Sequence, residues 1–295
     1  MSDNFKAILL MIATMAGFSV EDYYIKIAAE RVPIGQILVI LGILGTLANF
    51  AVAKWAGQAL LSRELLTKTL IMRNIAEITA MATGVTALTL IPLSLASSVL
   101  QAAPLLVTVG AALFLGEHVG WRRWTATLVG LAGVLLVLKP DASGFQPAVL
   151  LSVVATICIA LRDLVTRITP RTVATLQLTF WGYALTIPGG AVLSLILQES
   201  WVWPSAIAWA QICTAAVLGI VFYFALTIAL RIGEASVVVP FRYTRLVFTF
   251  AIGIVLLDEV VSFWMLVGLG LIVSSGLYTL IREANVSRKA RALVS

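Results

Sequence analysis

Charge is what this sequence has least of. Asp, Glu, Lys and Arg make up only 12% of its 295 residues, against about a quarter in an ordinary soluble domain, while 61% are hydrophobic. So few charged side chains cannot clothe a water-soluble fold of this length, which excludes a soluble globular protein and makes lipid the implied solvent. Histidine is nearly absent: His118 is alone and falls in a loop, which excludes a multi-histidine metal site and histidine catalysis deep in a membrane. The two cysteines, Cys158 and Cys213, lie inside apolar runs and form no CxxC, so neither a disulfide framework nor a metal site is implied. A Walker A pattern is missing, so transport driven by nucleotide hydrolysis is not expected. Cofactor motifs are missing too, and no cofactor is expected.

What is present is a series of long uncharged runs. Residues 32–53, 172–198, 200–230 and 260–281 contain no charge, and each can hold a bilayer span. Residues 78–116 are uncharged over 39 positions. As one helix they would be about 58 Å long against a ~30 Å hydrocarbon core, so they must fold as two, with the turn at Pro92. The same reasoning along the chain predicts ten transmembrane helices, near 5–29, 34–55, 67–90, 95–115, 121–139, 147–168, 172–197, 206–230, 235–257 and 262–282. The linkers leave no room for a soluble domain, so the fold class is an all-α polytopic membrane protein.

The net charge of +6 has an explanation other than nucleic acid. With the N-terminus inside, Lys6, Lys54, Lys68, Arg122, Arg123 and Arg167 fall on the cytoplasmic side, as does the basic tail, whereas only Lys26, Arg31 and Lys139 fall outside. An even number of spans returns the C-terminus to the cytoplasm. The first apolar run has a weak n-region and no clean small-x-small site, so it reads as a retained span.

Shifting the sequence by 141 positions lays Glu21, Asp22, Lys26 and Ile27 over Arg162, Asp163, Arg167 and Ile168, Gln36 over Gln177, and Glu117 over Asp258. The chain therefore divides into a first copy at 1–140, a second at 147–282 and a basic tail at 283–295. Five helices per copy is an odd number, so the second copy enters from the opposite side and is inverted relative to the first. Glu21 then lies ~24 Å along a helix that starts inside, and Arg162 ~22 Å along one that starts outside.

The segments Leu95–Pro140 and Gly233–Glu283 each combine a small-residue start, a proline within the helix, an acidic residue at its end and a glycine-bearing helix. In this the chain resembles the EamA-type drug/metabolite transporter superfamily, as two inverted five-helix repeats covering nearly its whole length. The resemblance implies a transporter with both termini cytoplasmic, often an exporter, in a family that includes amino-acid exporters of the YddG type. The prolines are not in register: Pro104 follows Ala96 by eight residues, Pro240 follows Ala235 by five.

Ionisable groups inside a bilayer cost several kcal/mol unless paired or hydrated, so they are the candidate sites. Glu77 and Arg245 both fall ~15 Å along their helices, near the midplane. Arg73 is spaced to pair with Glu77, and Arg242 shares a face with Arg245. Together they offer both charges of an amino acid, with a structural role locking two helices together as the alternative, and Asn74, Gln101, Trp181, Tyr223 and Tyr243 could complete the pocket. For the aromatic residues interfacial anchoring is an equal alternative. Asp22 and Asp163 are the repeat-related carboxylates near the two mouths and the candidate gates, with interfacial solvation the alternative. Pro104 and Pro240 are candidate hinges or static kinks. Gly42, Gly45, Gly130, Gly133, Gly268 and Gly270 suit close helix approach.

The expected activity is alternating-access secondary transport of a small metabolite across a bacterial inner membrane, an amino acid or related compound, in the direction of export. A passive channel is one alternative. An intramembrane enzyme built on Asp22 and Asp163 is a weaker one, since inversion puts them at opposite faces. The expected partners are the small-molecule substrate and membrane lipid, with no nucleic acid and no metal, and the chain is expected as a monomer or weak homodimer. Substrate identity and proton coupling stay open. Tags fused to the first and last residues should be reached by a membrane-impermeant reagent from the same side only, and labelling from different sides would contradict the even number of spans.

Overall fold

In hydrocarbon each spanning segment must satisfy its own backbone hydrogen bonds, and helices do so locally. The computed structural model describes residues 3–61, 67–114, 116, 120–138, 146–170, 172–232 and 238–292. For residues 123, 138, 167, 227, 230, 231, 239, 240, 279, 280 and 282–292 it describes the backbone only. The helices in chain order are α1 (Asp3–Ala28), α2 (Ile34–Trp55), α3 (Lys68–Leu90), α4 (Leu93–Leu100), α5 (Ala103–Phe114), α6 (Trp121–Leu138) and α7 (Val149–Ile168). They continue with α8 (Thr175–Ile196), α9 (Ala206–Ile232), a 3-10 turn at Val239–Tyr243, α10 (Thr244–Leu256) and α11 (Phe263–Ala292). Each of the ten expected spans has a helix at its place. Six helical segments among the described residues are long and apolar enough to cross a membrane. α3 is not one of them; its first half carries Lys68, Arg73, Asn74 and Glu77.

The turn expected at Pro92 is there: α3 stops at Leu90, Ile91 is extended, and Pro92 opens α4. Two spans differ from continuous helices. The span expected at 95–115 breaks into α4 and α5 at Gln101–Ala102, since Pro104 has no N–H to bond back to Leu100. In the second copy Pro240 lies in the 3-10 turn that precedes α10. Beyond the last expected span, α11 continues to Ala292, into the basic tail.

The duplication is visible in how helices end. α2 closes with Gly57 at φ +63°, and the equivalent Gln198 after α8 adopts φ +52°. In both places the next amide reaches five residues back, from Gln58 to Ala53 O and from Glu199 to Ser194 O, the same left-handed stop twice.

The chain forms two compact units, one of residues 1–20, 92–147 and 221–295, the other of 21–91 and 148–220. Each draws segments from both copies. In the second unit α2 packs on its repeat equivalent α8, and the two run antiparallel. Gly35 faces Gly190 and Ser194, Gly42 faces Ile187 and Tyr183, and Asn49 accepts a 3.0 Å hydrogen bond from Thr179. In the first unit α6 packs antiparallel on its equivalent α11, with Gly133 against Gly268 and Gly130 against Ser275. Equivalent helices running in opposite directions are what an inverted repeat requires.

Small residues make these crossings close, as expected where no hydrophobic force drives helices together. A methyl group on Gly133 would stand 2.6 Å from the Gly268 carbonyl oxygen, and one on Gly35 2.6 Å from that of Gly190. Gly270, expected to pack, instead faces open space. Its place on the helix, two residues after Gly268, points it away from α6. Gly133→Ala should therefore cost about 1–3 kcal/mol, read as a lower melting temperature in detergent, while Gly270→Ala should leave it unchanged or slightly higher.

Candidate functional site

The second unit contains a chain of ionic groups within its apolar helices. α3 and α7 lie antiparallel: Arg73 meets Thr166, Glu77 meets Arg162 and Gly84 meets Ala155. Arg73 and Glu77 are one turn apart on α3, so both side chains face α7. Arg73 donates through Nη2 to Glu77 Oε2 at 3.0 Å, through Nη1 to Asn74 Oδ1 at 3.0 Å and through Nε to Thr166 Oγ1 at 3.3 Å. From α7, Arg162 donates through Nη1 to the other Glu77 oxygen at 3.0 Å. Its Nε and Nη2 reach Asp163 Oδ1 at 3.0 and 2.9 Å.

Two guanidinium groups and two carboxylates thus sum to zero charge, which offsets the cost of placing ions in lipid. Exposure rises along the chain: the side chains of Arg73, Glu77, Arg162 and Asp163 are 6, 15, 26 and 34% accessible. One end is sealed among helices and the other is open. α8 contributes Gly182, where even a methyl group would only touch Glu77, 3.7 Å from its Cγ.

The first unit holds the other polar cluster. Gln101, at the α4–α5 break, donates to the Arg242 carbonyl oxygen at 3.1 Å, joining two residues that the duplication equates. The Arg245 guanidinium stands 5.5 Å from the centre of the Phe18 ring. Ser19 of α1 shares a 2.9 Å hydrogen bond with Thr249 of α10. Tyr243 is 6% exposed, its ring lying on Gly276 and its hydroxyl buried, the setting of a packing residue.

The remaining candidates are scattered. Asp22 is buried in α1, at 6% exposure. Asp163 stands beside Arg162 in the α3–α7 network. Trp181 donates from its indole N–H to the Leu60 carbonyl oxygen at 3.0 Å and so fastens the segment after α2. Tyr223 is half-buried in α9, and Pro104 is half-buried in α5. Of the substrate-binding candidates, Arg73, Asn74, Glu77 and Trp181 belong to one unit, and Gln101, Tyr223, Arg242, Tyr243 and Arg245 to the other. Glu117 and His118 lie outside the described residues.

Sequence reasoning missed Arg162 as the partner of Glu77, although it lies on the duplicated motif. It also missed three charged residues that bind helix ends. Lys26 donates to the Leu88 and Ile91 carbonyl oxygens at 2.7 and 2.6 Å, where α3 ends. Glu199 accepts the Ile34 and Gly35 amides at 2.9 and 3.0 Å, where α2 begins. Glu259 accepts the Leu93 and Ser94 amides at the start of α4, so an acidic residue of the Gly233–Glu283 segment acts as a cap. The repeat-equivalent glutamines have the same use: Gln36 pairs with Val202 and Gln177 with Ala59, both through backbone groups.

Comparison with known proteins agrees with this architecture. The EamA-like transporter family matches twice in tandem, over residues 5–139 and 146–281, and the chain belongs to that family. An S-adenosylmethionine uptake transporter of Rickettsia conorii is 29% identical over 178 residues, 60% of this chain and 59% of the relative. The chain thus spans about three-fifths of the length of that relative. A riboflavin transporter of Rhizobium johnstonii is 28% identical over 74% of this chain and 72% of its own. A pseudopaline exporter of Pseudomonas aeruginosa is 27% identical over 86% and 88%. A solved crystal structure covers 93% of this chain and 98% of its own at a TM-score of 0.63 and 21% identity, a likeness of fold. With two tandem copies of that family's domain and helices long and apolar enough to span, the chain is a multi-pass membrane protein.

Glu77 is the centre of the ionic chain, and its removal leaves two guanidinium groups facing each other. Glu77→Gln and Arg162→Gln should each lower thermal stability in detergent. The double variant should lose less than the two losses added, by a coupling of about 1–2 kcal/mol, and strict additivity would disconnect the pair.

Proposed function

We propose that the protein is an alternating-access secondary transporter of the bacterial inner membrane that exports an amino acid or a related metabolite, with both termini cytoplasmic. The observation that carries this reading is the α3–α7 network. It sets two guanidinium groups and two carboxylates side by side in apolar helices, with the Arg162–Asp163 end accessible. A self-neutralised ionic chain can exchange its internal pairs for those of a zwitterion without leaving a net charge in lipid. The relatives support the class of cargo: S-adenosylmethionine is itself built on an amino acid. They name both uptake and export. The exporter aligns over more of both chains, which favours outward movement.

Arg73, Asn74, Glu77, Arg162 and Asp163 form the substrate-facing group in this reading, and Arg73, the most buried, anchors it. Arg242 and Arg245, beside Gln101 and Phe18, form a second polar patch in the other unit. Inverted copies give the two access states, since the same fold presented from either side of the bilayer opens to either side.

The test is reconstitution into proteoliposomes loaded with unlabelled compound, followed by counterflow of labelled amino acids, S-adenosylmethionine and riboflavin. Saturable exchange of amino-acid compounds is expected, with Glu77→Gln lowering the rate about ten-fold or more. Flux without counterflow would identify a facilitator instead. A folded Glu77→Gln variant with an unchanged rate would remove the network from the transport path.

A further inference from the structure

The donors and acceptors of the α3–α7 network do not come out even. All three nitrogens of Arg73 are engaged, on Thr166, Asn74 and Glu77. All three of Arg162 are engaged as well, one on Glu77 and two on the same Asp163 oxygen, Oδ1. Both oxygens of Glu77 are taken, one by each arginine. Asp163 is different: its second oxygen, Oδ2, accepts from no described residue, and its side chain is the most exposed of the four. Every guanidinium nitrogen already faces a protein acceptor, and the N–H groups left over sit on nitrogens so engaged. The one carboxylate oxygen of the network that no described residue donates to is this Oδ2, and the Arg162 guanidinium on the far side orients the group.

We propose that Asp163 is the group that reads the substrate, and that it reads a cation: a protonated amine or other onium centre donating to, or lying against, Oδ2. This rests on the reading of the network as the substrate site and narrows it. The substrate class becomes metabolites with at least one fixed or protonated positive centre, and a carboxylate on the substrate is not required. Asp163 is then not a gate. It is a specificity residue at the open end of a chain whose buried end, at Arg73 and Glu77, holds it in place. A purely anionic compound would meet Oδ2 as a like charge and would be rejected.

A matched set of ligands tests this: phenylalanine, phenethylamine and 3-phenylpropanoate, alongside methionine, 3-(methylthio)propylamine and 4-(methylthio)butanoate. Binding is read as a thermal shift of the purified full chain in detergent and as inhibition of counterflow. For the wild type, each amine is expected to bind as well as its amino acid or better, and each carboxylate about ten-fold or more weakly. Asp163→Asn keeps the acceptor for Arg162 but removes the charge. It should weaken amines and amino acids about ten-fold while leaving the carboxylates unchanged or improved, and Asp163→Glu should restore part of the loss. An equal loss for all three members of a set would make Asp163 a positioning residue for Arg162 and overturn the proposal. So would wild-type protein that binds the carboxylates as tightly as the amines, a result that needs no variant to fold. Failure of the broader reading looks different: none of the six compounds would shift or compete at all, and the inference would fall with it.

Discussion

Glu77 lies between two guanidinium groups that reach it from different helices, and the rest of this architecture can be understood from that contact. A carboxylate in an apolar helix is tolerated only if its charge is met, and Arg73 on the same helix meets half of it. Arg162 meets the other half only if α7 lies antiparallel to α3 in one particular register. The ion pair therefore specifies which helix faces which and how they align, a use of buried charge that stability alone would not require. Asp163 then offsets the extra positive charge of Arg162 and leaves the chain neutral.

The same economy governs the helix ends. Lys26, Glu199 and Glu259, charged residues in a chain with few of them, all bind backbone groups exposed where a helix starts or stops. These three charges close helix termini, Arg73, Glu77, Arg162 and Asp163 form a polar cluster, and apolar and small residues do most of the packing. The glycine crossings of α2 with α8 and of α6 with α11 let backbones approach closely, and their polar contacts are uncharged, Thr179 on Asn49 and Ser275 on the Ala126 carbonyl. A polar chain that is open at one end can thus be held among helices that are otherwise inert toward a charged solute.

Much of this was legible in the sequence. The uncharged runs mark the spans near 34–55, 95–115, 172–197, 206–230 and 262–282 because lipid tolerates so few charges, and Pro92 marks a turn because proline cannot continue a helix. Inversion follows from five helices per copy and is seen in the opposed directions of α2 and α8. Residue partnerships across helices were less accessible. Arg73 and Glu77 could be paired from their spacing on one helix, but Arg162 is 85 positions from Glu77 and depends on a register that periodicity does not specify. Gly270 was misread because any glycine in an apolar helix suggests packing, whereas its rotation about the helix axis decides. The place of Tyr243, its ring on Gly276 at the end of the 3-10 turn that Pro240 opens, is likewise a matter of three-dimensional packing.

The antiparallel register of α3 and α7 is the point on which the ionic network, and any binding it supports, depends. It can be measured directly with a cysteine pair in protein whose Cys158 and Cys213 are replaced by serine. A methyl group on Gly84 lies 3.5 Å from Ala155 Cβ, within the ~3.5–4.5 Å that a disulfide spans, so Gly84→Cys with Ala155→Cys should cross-link on mild oxidation in native membranes. The pair Gly84→Cys with Thr166→Cys, about 16 Å farther along α7, should not. A cross-link in the second pair and none in the first would mean that Glu77 does not meet Arg162.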